Sequence, residues 1–150
     1  MKKVIIGCIL AISLPISATA GYDAERIKSF VSGAKGIFQV TGWKRSENGN
    51  ALVAITNLKN VVISISNNRS SIYSYLPKFT VMDDVPCLAL GNAGTEARTD
   101  EQRYQLVGAI NSALSGKNKT TKINGVIFKA ATTQNGGVLE LSCHVMPSKT

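Results

Sequence analysis

Between Ala24 and Ala34 the apolar residues Ile27, Phe30, Val31 and Ala34 fall at the i, i+3, i+4, i+7 spacing of one helix face. Asp23 occupies the capping position and Glu25 the first turn, where a carboxylate complements the helix dipole; Gly33 and Gly36 weaken the far end. From Ile37 the period drops to two. Ile37 to Lys44 reads as a strand, Ser46 to Asn50 as a turn and Ala51 to Thr56 as its return. Asn48-Gly49 is a strong hairpin signal, because both residues accept positive φ. Asn57 to Asn60 turns the chain again, and Val61 to Ser66 forms a third strand. Val61, Ile63 and Ile65 share one of its faces and Val62, Ser64 and Ser66 the other. Such alternation describes an antiparallel strand with one wet side.

Asn67 to Arg98 shows little period. Ser71 to Tyr75 and Phe79 to Met82 have the length of short strands, but Pro77 and Pro86 lack the ladder donor. Asp83-Asp84 reads as a solvated turn and Gly91 to Gly94 as loop. A capping box then opens at Thr99, with Gln102 three residues on. The helix after it is predicted to bury Tyr104, Val107, Ile110 and Leu114, with Leu106 and Ala113 beside them, and to close at Gly116. Lys122 to Ala131 is predicted as a strand, Gln134 to Gly137 as a turn and Val138 to Met146 as the last strand. The expected fold is α+β: two helices packed on one face of an antiparallel sheet of about five strands, in the order α-βββ-α-ββ.

The first 20 residues stand apart from this pattern. Lys2-Lys3, an apolar run from Val4 to Ile16 and Ala18-Thr19-Ala20 are the three parts of a cleavable secretory signal peptide. The apolar run is shorter than the ~20 residues a membrane-spanning helix needs, and Pro15 interrupts it, so no span is expected. Cleavage after Ala20 leaves Gly21 to Thr150 as one expected domain in the periplasm or outside the cell. Cys8 leaves with the signal, and the remaining Cys87 and Cys143 are expected to form one structural disulfide. They lack the Cys-x-x-Cys spacing of a redox pair.

The chain carries 17 basic and nine acidic residues; loss of Lys2 and Lys3 leaves 15 against nine, a net charge of +6. No run of five or six like charges marks a nucleic-acid-binding tail, and export removes that partner. A basic exported protein meets an acidic protein or an anionic envelope surface instead.

Catalytic signals are sparse. His144 is the one histidine, which excludes a two-histidine zinc helix. It adjoins Cys143 on a strand, so the two side chains point to opposite faces and form no Cys–His nucleophile pair; an edge strand is its expected place. No nucleophile elbow, phosphate-binding loop or dinucleotide fingerprint is present. The carboxylates not explained by helix starts or turns reduce to Asp83, Asp84, Glu96 and Glu140.

The favoured expectation is therefore a non-catalytic binding protein, an inhibitor, immunity or accessory factor, with no metal and no cofactor. Its candidate binding residues are Trp43, Lys44 and Arg45 at a strand end, and Tyr73 and Tyr75 on one face of a strand, since Trp, Tyr and Arg dominate interface hot spots. Two alternatives stand beside it. One is a small envelope hydrolase, which needs Asp83, Asp84, Glu96, Glu140 and His144 to converge in one pocket. The other is a surface or appendage subunit, which needs self-assembly.

Overall fold

A computed structural model describes residues 21–34, 39–58, 60–76 and 84–148. The signal segment, Ile37, Phe38, the Phe79–Met82 stretch and Asp83 lie outside them. The described residues form α1 (Ala24–Gly33), β1 (Val40–Arg45), β2 (Leu52–Thr56), β3 (Val61–Ser66), β4 (Arg69–Leu76), α2 (Val85–Thr95), α3 (Asp100–Leu114), β5 (Lys119–Ile123), β6 (Val126–Asn135) and β7 (Val138–Pro147). The seven strands make one antiparallel sheet in the order β1-β2-β3-β4-β7-β6-β5. A four-strand meander and a three-strand meander thus meet at β4 and β7, with α2 and α3 as the connection. The α+β class and the antiparallel sheet are as expected. The described residues hold three helices and seven strands, however, rather than two and about five.

Two of the additions come from hairpins. Asn67-Asn68 turns β3 directly into β4, pairing Ser66 with Arg69 and Val61 with Ser74. The predicted 122–131 strand is in fact two, because Asn124 (φ 50°) and Gly125 (φ 76°) make a two-residue turn between β5 and β6. It is the same Asn-Gly chemistry that marks the first hairpin. Asn124 has a second task. Its amide nitrogen donates to the Thr95 and Glu96 carbonyls, and its oxygen accepts from Gln102. That ties the end of α2 to the start of α3.

The third addition is α2, which covers Gly91-Asn92-Ala93-Gly94 where a loop was expected. It has no amphipathic stripe because it is buried almost all round, with Ala89, Leu90, Gly91, Ala93, Gly94 and Thr95 all inside. Its glycines let the backbone approach the sheet. A Cβ at Gly94 would come within 2.7–2.8 Å of three Val145 carbons, and one at Gly91 within 3.1 Å of Leu106 and Phe128. Asp84, expected in a solvated turn, is the N-cap residue of α2.

The α1 and α3 ends follow the sequence. Asp23 accepts from the Arg26 amide, and the Thr99–Gln102 capping box is closed in both directions. Gly116 (φ 78°) stands just past α3. The buried face of α3 is rotated from the expected one: Leu106, Ala109, Ile110 and Ala113 go inside, while Tyr104 is 75% exposed and Val107 lies at the surface. Phe30 is likewise exposed rather than packed.

All three helices contribute to one core, against the sheet residues Ile63, Ile65, Ile72, Val126, Phe128, Leu141 and Val145. Cys87 in the first turn of α2 and Cys143 in mid-β7 are joined there by a disulfide, with Cα atoms 5.5 Å apart. The expected bridge is present, and it fixes a helix, not an irregular link, to the sheet. Such a bond is compatible with an extracytoplasmic location. Among the described residues no helix is long and apolar enough to cross a membrane.

Candidate functional site

Strand alternation sends the core residues to the helix side, so the intervening positions form a second face on which no described element packs. Register places Lys44, Val53, Ser64, Ser71, His144, Lys129 and Thr120 in one row across all seven strands. The next row runs Ile55, Val62, Tyr73, Ser142 and Ala131. Beyond it Tyr75 stands opposite Glu140. Ile55 is 64% exposed and Tyr75 38%. Gly42, Lys44, Val53 and Ile55 line an apolar recess of about 320 Å³ at the β1 end.

The same alternation splits the candidate binding residues. Lys44, Tyr73 and Tyr75 share the uncovered face. Trp43 pairs with Ala54 and Arg45 with Leu52, which puts both on the helix side. Trp43 is half-buried against the core, and its ring N–H donates to Ser32 at 3.2 Å. Its neighbour in sequence therefore faces the other way, and the Trp-Lys-Arg run is not a single patch.

His144 lies at the centre of the uncovered face. β7 runs between β4 and β6, so its expected place on an edge strand is corrected. Nδ1 of His144 is 2.8 Å from the Ser71 hydroxyl, and the Tyr73 ring meets the imidazole edge-on at 5.7 Å. Burial holds the His144 pKa down, from 6.5 to about 4, with help from the positive charges of Arg69 and Lys129. Ser71 was not singled out from the sequence. Its alternation with Tyr73 was legible, but its pairing with a histidine 73 residues away was not.

A serine bonded to histidine needs an orienting carboxylate and a basic imidazole before it becomes a nucleophile. His144 has neither. Glu140 is four residues along β7 beside Tyr75, and two cations lower the basicity of the ring. Glu96, at the end of α2, is held by Arg26 at 2.6 Å. Asp84 is at the other end of that 11-residue helix, about 18 Å away. Asp84, Glu96, Glu140 and His144 thus do not converge, and Asp83 lies outside the described residues. Among the described residues no group of three His, Cys, Asp or Glu side chains gathers to hold a metal.

The depressed histidine makes stability depend on pH. The unfolded chain takes up a proton near pH 6.5 and the folded chain near 4, so unfolding gains a proton in that window. His144 contributes fully above pH 6.5, and its contribution is lost as pH falls towards 4. The expected loss is about 2 kcal/mol, after allowance for solvent screening of a partly exposed ring. Urea unfolding at several pH values checks it. His144→Gln should flatten the wild-type slope between pH 6.5 and 4, and an unchanged slope would remove the assignment.

Comparison with known proteins adds nothing to this geometry: no protein-family model, curated protein or solved structure matches the chain.

Proposed function

We propose that the chain is an exported, non-catalytic binding protein that docks an acidic envelope or secreted protein through the uncovered face of its sheet. What carries the reading is how charge divides between the two layers. Lys44, Arg69, Lys122 and Lys129 fall on the uncovered face, and Glu140 is the one described carboxylate among the strand positions there. Asp23, Glu25, Asp84, Glu96, Asp100 and Glu101 all belong to the helical layer and its caps. A face of that sign draws and orients an acidic partner. Its apolar and aromatic groups, Ile55 and Tyr75 exposed and Val62 and Tyr73 half-buried, supply the area that charge alone does not. An inhibitor, immunity or accessory factor needs no more than this, and the disulfide and amino-terminal segment fit action outside the cytoplasm.

Affinity capture from envelope extract, repeated with variants, tests the proposal. Tyr73→Ala is expected to weaken partner binding about 30-fold, equivalent to ~2 kcal/mol, with the melting temperature little changed. Lys44→Glu should slow association by reversing a charge at the rim. Trp43→Ala is expected to do the opposite of Tyr73→Ala, lowering the melting temperature and sparing affinity in the folded fraction. A partner bound equally well by all three variants, or a hydrolytic activity lost with His144, would overturn the reading.

A further inference from the structure

The hairpin end of the uncovered face differs in chemistry from the rest. The β1–β2 loop and the β3–β4 turn stand on either side of a cleft of about 630 Å³. Asn48 and Asn50 contribute from the loop, Asn67 and Asn68 from the turn, and Arg69 and Tyr73 from β4. Serine hydroxyls of β3 and β4 supply much of what remains, and no carboxylate among the described residues lines the cleft. Small-molecule pockets are usually apolar with a few polar groups. Here the proportion is inverted, which suits a ligand that is itself covered in hydroxyls.

Internal hydrogen bonds decide which polarity is offered. The Asn48 carboxamide oxygen accepts from the Ser46 hydroxyl at 2.7 Å and from the Asn50 amide at 3.2 Å. The Asn68 carboxamide oxygen lies 2.9 Å from the Ser66 hydroxyl, whose single proton is shared with the Arg69 carbonyl at 3.0 Å. The Asn48 side chain is thereby fixed with its acceptor end used, leaving its NH₂ group without a partner among the described residues. The Arg69 guanidinium likewise has no carboxylate partner among them, whereas Arg26, Arg98 and Arg103 are all ion-paired. The cleft thus offers the Asn48 NH₂ group and the Arg69 guanidinium as donors beside one aromatic ring. Guanidinium donates two parallel bonds to a carboxylate, amide N–H groups donate to ring and hydroxyl oxygens, and an aromatic side chain offers apolar area to the C–H face of a sugar.

We infer that this cleft binds an acidic carbohydrate, a sugar chain bearing carboxylate groups, with Arg69 on the carboxylate and Tyr73 beneath a pyranose ring. The site goes beyond the docking reading and does not require a protein partner on the same face.

Titration calorimetry of the mature, disulfide-bonded protein with oligogalacturonate at pH 7 and 150 mM salt tests it, with maltohexaose and polyglutamate as controls. Saturable binding of the uronate is expected, with neither control bound. Arg69→Gln should weaken it at least tenfold, Arg69→Lys should not restore it, and Asn48→Ala with Asn68→Ala should weaken it further. Arg103→Gln, which removes a charge from α3 in the helical layer, should leave it unchanged. Amide resonances of residues 46–51 and 66–69 should move on titration. Absence of saturable uronate binding would overturn the inference. So would equal binding of polyglutamate insensitive to Arg69→Gln, which is charge attraction alone, or equal binding of maltohexaose, which removes the acidic group from recognition. Loss of protein capture with uronate binding intact would discard the docking reading and leave this site standing.

Discussion

Replacing Cys87 and Cys143 together with alanine is expected to lower the free energy of unfolding by about 4 kcal/mol. The bridge closes a 56-residue separation, and the chain inside it includes most of α2, all of α3, β5 and β6, and half of β7. Cross-linking that length removes many conformations from the unfolded chain, and the cost of losing the bridge is paid mainly there. A second contribution is local. Both cysteines are fully buried, one in the first turn of α2 and one on the helix side of β7, so the bond also fixes where the helix lands on the sheet. Urea unfolding of the oxidised protein and the double variant checks the figure, and total stabilities of ~5–15 kcal/mol make such a loss easy to see. A difference below 1 kcal/mol would show that core packing, not the bridge, holds α2 in place. Mass analysis of mature material should find no alkylatable thiol.

Gly94→Ala is expected to destabilise the protein by about 3 kcal/mol, although alanine is the better helix former. The added methyl group would lie 2.7–2.8 Å from Cβ and both γ-carbons of Val145. Val145 is itself fully buried on β7, so it has nowhere to retreat. The remedy is specific. Val145→Ala removes the two offending γ-carbons, and the double variant should be more stable than the sum of the single losses predicts, by more than ~1 kcal/mol. Strict additivity would mean that α2 shifts away from the sheet, and that its close approach is not what the glycine secures. Gly91, whose contacts with Leu106 and Phe128 are looser at 3.1 Å, should tolerate alanine better.

These two cases also show how much of the molecule is written locally. Signals that act within four residues were read correctly: the Asp23 cap, the Thr99–Gln102 box, Gly116 after α3, and the alternation of Val61, Ile63 and Ile65. The bridge followed from counting cysteines, because the two outside the expected signal segment had no other thiol to meet. Asn124-Gly125 was legible by the rule applied to Asn48-Gly49, and the apolar character of 122–131 hid it. α2 was not legible in the same way. A helix buried on every side has no polar stripe to give it a period, and the small residues that let it lie close to β7 are those that elsewhere mark a loop.

The functional surface divides along the same line. By itself the sequence determined that Tyr73 and Tyr75 share a face, that Cys143 and His144 do not, and that basic residues exceed acidic ones. Each follows from strand alternation or from composition. Only the tertiary structure decided which face the helices cover. It put Trp43 and Arg45 on the helix side, drew the acids into the helical layer, set His144 against Ser71 across 73 residues, and brought two asparagine-bearing turns to the sides of one cleft. The reason is that alternation specifies two faces without naming either. The choice between them is made by where the helices bury their apolar sides, and that depends on contacts far apart in the chain.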